Sequence, residues 1–179
     1  MLAKHHLLLL ACVFFSSTLL AETTSPVSVD TQSGTKVETK PEVKPEPRVY
    51  VKKVKADFNT TYKKIFNSLE NNSYFVVFEP NLRRNLSHFA QRWGANYNRN
   101  KLGEIRSMVF CNGWYANEMS NKDPNMLALC PLHITLMAKD GVTTILFVRP
   151  SQVAIDSPAY NVAQELEQDV IRVIEEAVY

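Results

Sequence analysis

The chain has 179 residues, 45% of them hydrophobic and 21% charged, with a formal charge of +2. Those figures fit one domain of average soluble composition, since a domain takes about 100–200 residues. Near-balanced charge, five glycines, nine prolines and three cysteines exclude a binder of nucleic acid driven by gross positive charge, a disordered acidic chain, a collagen-like repeat and a dense disulfide scaffold.

Residues 7–21 read LLLLACVFFSSTLLA, without a charge, after Lys4. A basic start, an apolar stretch of about 7–15 residues and a small closing residue describe a secretory signal peptide, whereas a membrane span takes about 20 apolar residues. Residues 1–21 are therefore expected to be a signal peptide cut after Ala21, with Cys12 as filler in its apolar core. The protein is expected to be exported, periplasmic or secreted, and to meet a membrane only through an uncut signal or a surface contact. Residues 22–47 hold four prolines and no aromatic, Leu, Ile or Met. Such a segment cannot bury enough apolar surface to offset its ordering entropy, and its prolines favour extended backbone, so it reads as a tether. The folded domain is expected over residues 48–179.

Within that domain, residues 48–55 (RVYVKKVK), with β-branched Val49, Val51 and Val54, read as a strand. Phe58, Tyr62, Ile65, Phe66 and Leu69 recur at helical spacing behind Asp57, a capping residue. Residues 74–78 (YFVVF) read as a short buried strand ended by Pro80. Leu82, Leu86, Phe89, Ala90 and Trp93 share one helical face, with Gly94 as a stop. Residues 105–111 form a third strand and residues 112–126 a partly helical stretch. Residues 132–138 and 143–149 form a hairpin, because Asp140-Gly141 suits a two-residue turn. A last helix over residues 158–178 would bury Val162, Leu166, Val170, Val173, Ile174 and Ala177, with Asp156 and Ser157 as caps and Pro158 in the first helical position. The order β-α-β-α-β-α-β-β-α predicts a single compact α+β domain, a largely antiparallel sheet with helices packed on one face.

Phe110-Cys111-Asn112, Asp123-Pro124, Cys130-Pro131-Leu132 and a hairpin ending in Arg149-Pro150 make residues 49–179 resemble the domain-of-unknown-function family 302. The resemblance implies a compact α+β fold similar to the TATA-binding-protein-like arrangement and a link to sulfur metabolism. It brings no catalytic residues, because the family carries no activity to transfer.

Cys111 and Cys130 are the two cysteines beyond the leader, one at a strand end and one before a strand. After export they could form a disulfide, stay as buried thiols, or act as a nucleophile or sulfur carrier. Neither a CxxC nor a CxxCH motif is present. His133 stands three residues after Cys130, but it and His88 lack the further ligands of a zinc site, so neither metal nor cofactor is expected. Trp114, Tyr115, Met119, Met126 and Leu127 gather between the cysteines; with His133 they are candidates for an apolar ligand pocket, or else plain core. Residues 82–106 carry six basic side chains against Glu104 alone, while residues 156–179 carry six acids against Arg172. Arg83, Arg84, Arg92 and Arg99, beside Trp93 and Tyr97, are anion-binding candidates, or else a solvated face that the acidic segment attracts. No nucleophile–base order, phosphate loop or paired carboxylates stand out. The expectation is a non-catalytic domain that binds a small apolar or anionic ligand near Cys111, Cys130 and the adjoining aromatics, or serves as an accessory protein. Its alternatives are a thiol- or sulfur-handling protein using Cys111 or Cys130, and an envelope protein-interaction module; nucleic acid is not an expected partner.

Overall fold

The structure, a computed structural model, describes residues 46–179. The expected signal peptide and nearly all of the expected tether lie outside the described residues. Five strands, β1 (Val49–Val54), β2 (Phe75–Phe78), β3 (Ile105–Cys111), β4 (Leu132–Lys139) and β5 (Val142–Val148), form one sheet in the order β1-β5-β4-β3-β2. Every neighbouring pair is antiparallel. The β4–β5 turn is the expected one: Asp140 and Gly141 have φ of 49° and 74°, and the turn that matches strand twist needs positive φ at both positions.

Strand alternation sends Tyr50, Val76, Met108, Phe110, Ile134, Leu136, Ile145 and Phe147 to one face, in register across all five strands. Helix α1 (Phe58–Asn71) begins at Asp57, whose carboxylate accepts the Thr60 N–H at 2.8 Å. Its Phe58, Tyr62, Ile65 and Leu69 fall on one side and pack against that sheet face. Helix α6 (Tyr160–Val178) lies beside α1 and buries Leu166, Val170, Val173 and Ile174. Each fully buried aliphatic or aromatic side chain here contributes about 1.5–3 kcal/mol relative to exposure.

Three expectations needed correction. The predicted single helix over Leu82–Trp93 is two short ones, α2 (Leu82–Ser87) and α3 (Ala90–Trp93), with a break at His88 and Phe89. The Ser87 hydroxyl donates to the Arg84 carbonyl, a local bond that competes with continued helix. Its apolar stripe does not enter the core either: Leu86, Phe89 and Trp93 are all exposed. The YFVVF strand is a sheet edge rather than a buried strand. Tyr74 is fully buried, but Phe75 and Phe78 are 59% and 63% exposed. Phe75 faces away from α1 and α6 by alternation with Val76, and a register shift between Val76 and Phe78 turns Phe78 to the same outer face. The last helix starts at Tyr160 rather than Pro158, behind Ala159, which offers no capping side chain. Ser157 instead donates its hydroxyl to Asp123 at 2.7 Å and accepts the Ala159 N–H at 3.1 Å. A short helix not foreseen, α5 (Pro150–Val153), follows β5.

Four of the six acids of the C-terminal segment form ion pairs, all of them outside the basic stretch 82–106. Glu167 meets Arg149, Glu175 meets Lys52, and Asp169 and Glu176 meet Arg172. Burial alone would push the Glu175 carboxyl up, but hydrogen bonds from Lys52 and Tyr50 and the Lys52 charge outweigh it and hold the group below its ordinary value of 4.5. A lowered carboxylate stabilises the fold above its unfolded value, and that contribution is lost as pH falls through the folded one. Glu175→Gln should therefore be less stable than the parent at pH 6 in urea unfolding, and the gap should narrow once pH falls below 4.5 and close as it passes the lowered folded value.

Candidate functional site

Two places bring the candidate residues together. The first lies where β3 turns into helix α4 (Gly113–Lys122). Asn112 caps α4, its side-chain oxygen accepting the Trp114 and Tyr115 N–H groups at 3.0 and 3.2 Å. Asp123 then caps the 3-10 helix Pro124–Leu129 by accepting the Asn125 N–H at 3.0 Å. The chain re-enters the sheet so that Leu132 pairs with Phe110. This return sets Cys111, the last residue of β3, beside Cys130, with the two Sγ atoms 2.6 Å apart. Burial, reinforced by the neighbouring Cys111 sulfur, pushes the Cys130 thiol up to about 11. A reactive thiolate needs the reverse environment, a nearby cation or helix N-terminus.

Tyr115, Met119, Met126, Leu129 and Leu166 close a cleft over the sulfurs. Only about 20 Å³ of it admits the centre of a water molecule, which is room for about one water. Of the pocket candidates, Tyr115, Met119, Met126 and Leu127 line this cleft. Trp114 stands 59% exposed, edge-on to Tyr115, and His133 is exposed on a strand position that does not line it.

The second place is roomier. The excursion from β2 to β3 carries α2, α3, the 3-10 turn Gly94–Asn96 and the loop to Ile105. A single backbone bridge, Asn81 to Arg106, ties its start to the sheet edge. The apolar stripe that fails to reach the core turns inward on this excursion: Leu86 and Trp93, with Tyr97, Leu102 and Ile105, line a cleft of about 350 Å³, within the usual range for ligand sites. Arg83 and Arg99 stand in its wall with Asn96, Asn98 and Asn100, and no carboxylate lines it. Arg84 and Arg92, the other two anion-binding candidates, are exposed and do not line it.

Local bonds hold this cleft in shape. Asn98, at φ 43°, donates its amide to the Leu102 carbonyl at 2.8 Å and accepts the Leu102 N–H at 2.9 Å. Arg83 donates to the carbonyls of Leu102 and Gly103, so α2 is clamped to the far side of the loop. Phe89 stacks on Trp93 at 5.1 Å between ring centres. The sequence reading missed the three asparagines, although their alternation through residues 96–100 (NYNRN) was visible.

Among the described residues, three or more His, Cys, Asp or Glu side chains nowhere converge as a metal site would need. No helix among them is long and apolar enough to cross a membrane.

The family model described as "Domain of unknown function DUF302" matches residues 50–177. Among solved structures, the crystal structure of the uncharacterized conserved protein DUF302 from Bacillus stearothermophilus matches with a TM-score of 0.62 at 17% identity. The match covers 74% of this chain and 98% of that one. At that identity the likeness is one of fold. No curated protein matches the chain.

Proposed function

The chain belongs to the family of domain of unknown function DUF302, and from that premise we propose that it is an exported, non-catalytic domain that binds a small anionic ligand in the cleft between α2, α3 and the 97–104 loop. One observation carries this reading: a cleft of about 350 Å³ whose wall offers arginines and amides and holds no carboxylate. Positive potential in a cleft with apolar walls is focused toward the opening, which favours an anion over a neutral solute. Export has support from the uncharged run at residues 7–21 that follows Lys4. The binding test is calorimetric titration of the full chain with sodium sulfate at low ionic strength. Saturable binding that Arg99→Gln weakens at least tenfold supports the reading; heats that never saturate, or binding indifferent to Arg99, overturn it.

The Cys111–Cys130 pair serves this reading as a brace. We assign it as a disulfide, formed when a disulfide oxidant of the export compartment takes two electrons and two protons are released. Closing a loop of 19 residues would add about 3 kcal/mol in the chain-entropy model. Native protein isolated from an oxidising compartment should show no titratable thiol until reduced and unfolded, and then two from this pair. Cys111→Ser should lower stability by about 3 kcal/mol under oxidising conditions, and by much less in reductant. A fast-alkylating thiol in the native protein would instead favour sulfur chemistry. The raised Cys130 thiol weighs against Cys130 as that nucleophile.

A further inference from the structure

Resting on the anion-binding reading, we infer that the ligand of this cleft is an acidic sugar, a uronic acid alone or in a chain, rather than a bare inorganic anion. A sulfate or phosphate ion would engage the guanidinium groups and leave the rest of the cleft unused. What remains is a large share of the lining and has its own chemistry. Trp93 lies on the cleft wall, 41% exposed, with its plane set by the stack on Phe89. A pyranose ring presents an apolar C–H face that covers an indole, and burying that face against an aromatic wall is favourable in proportion to area.

The sugar's other surface is a ring of hydroxyl groups, each a donor and an acceptor. Carboxamides match them with both functions on one planar group. Asn96 and Asn100 bring two such groups to the exposed rim. Asn98 between them is committed to the Leu102 backbone and fixes the loop that follows it. The sugar carboxylate then has Arg99, exposed on the same wall, as a planar two-pronged partner. Arg83 is already engaged with two backbone carbonyls, so its role is to keep the loop closed and add positive potential. Each part of the lining thus meets one part of a uronic acid: indole to C–H face, amides to hydroxyls, Arg99 to carboxylate. The same lining suits a neutral sugar less, because the arginine would have no counter-charge.

The chain has two tryptophans, Trp93 and Trp114. Trp114→Phe therefore leaves Trp93 as the sole indole reporter, and the substitution lies outside the cleft. The full chain carrying it is titrated with trigalacturonate, with the same trisaccharide fully methyl-esterified, and with sodium sulfate, following Trp93 emission. A saturating shift with trigalacturonate, at a Kd at least tenfold below those for sulfate and for the ester, supports the assignment. Asn100→Ala should weaken trigalacturonate severalfold and leave sulfate unchanged, and thermal melts should show both variants as stable as the parent. Sulfate binding as tightly as trigalacturonate overturns the sugar assignment and leaves the anion site standing. Ester binding as tightly as the acid overturns the requirement for charge. No response to any of the three overturns the assignment together with the anion-binding reading.

Discussion

Replacing Arg149 with methionine is expected to lower the unfolding free energy by about 3–5 kcal/mol, because it strands a buried carboxylate. Glu167 lies in the middle of α6 with its side chain only 4% exposed. Its partners are the Arg149 guanidinium and the backbone N–H and hydroxyl of Ser151. Two short pieces of chain are thereby fastened to the long helix: Arg149, which leaves β5, and α5, which holds Ser151. With the guanidinium removed, the Ser151 bonds alone must solvate the charge, and an unpaired buried carboxylate costs several kcal/mol. Arg149 also lies over the Tyr50 ring at 6.0 Å and meets Glu46, but that second carboxylate is 66% exposed and its pairing contributes little. At about 2–4 °C per kcal/mol for a chain of this size, the melting temperature should fall by roughly 6–20 °C. The double variant Arg149→Met with Glu167→Leu should recover most of the loss, since it removes both charges together. If the single variant melts within about 2 °C of the parent, Glu167 is not held as described.

Such a pair is the kind of feature a sequence conceals. Glu167 is one of five acids in a helix that reads as a solvated acidic face, and Arg149 is 18 residues away with two prolines and a turn between. The regular elements were legible for the opposite reason. In α1, α6 and the β4–β5 hairpin, the periodic side chains and the surface that covers them are both strong signals, and the Asp57 cap and Asp140-Gly141 turn mark the ends. Periodicity misled where the covering surface was absent. Leu86, Phe89 and Trp93 have helical spacing, and Phe75 and Phe78 are as apolar as any core strand, yet each lies at the open edge of the sheet or beyond it. Spacing records which residues share a side; it does not record what lies opposite. The cleft at Trp93 follows from that gap. It is assembled from two short helices, a 3-10 turn and a loop, and no single period runs through those pieces. The basic character of the segment was readable, and so was its nearness to Trp93 and Tyr97; what needed the fold was that Arg83 and Arg99 line the cleft and Arg84 and Arg92 do not.

The face assignment that separates core from edge is open to a direct test at Phe110, where alanine is expected to cost about 3–5 kcal/mol. Phe110 is fully buried on β3, pairs with Val76 and Leu132 on its two neighbouring strands, and receives Tyr74 edge-on at 5.7 Å. Tyr74 is itself fully buried and donates its hydroxyl to Asp169 on α6 at 2.7 Å. Removing the Phe110 ring therefore opens a void that tightly fixed neighbours cannot collapse into, and the cost of such a truncation rises with the cavity left behind. One strand away, Phe75 and Phe78 are the same residue type on the exposed face, and alanine at either should change stability by less than about 1 kcal/mol. Urea unfolding separates these outcomes: with a slope of about 1–3 kcal/mol per molar, Phe110→Ala should lower the midpoint by more than 1 M and the two edge variants by much less. Because Phe110 directly precedes Cys111, the loss should be similar in oxidised and reduced protein if packing is its cause. A loss confined to the oxidised form would mean that the variant acts through the cysteine pair and that the ring contributes little packing of its own.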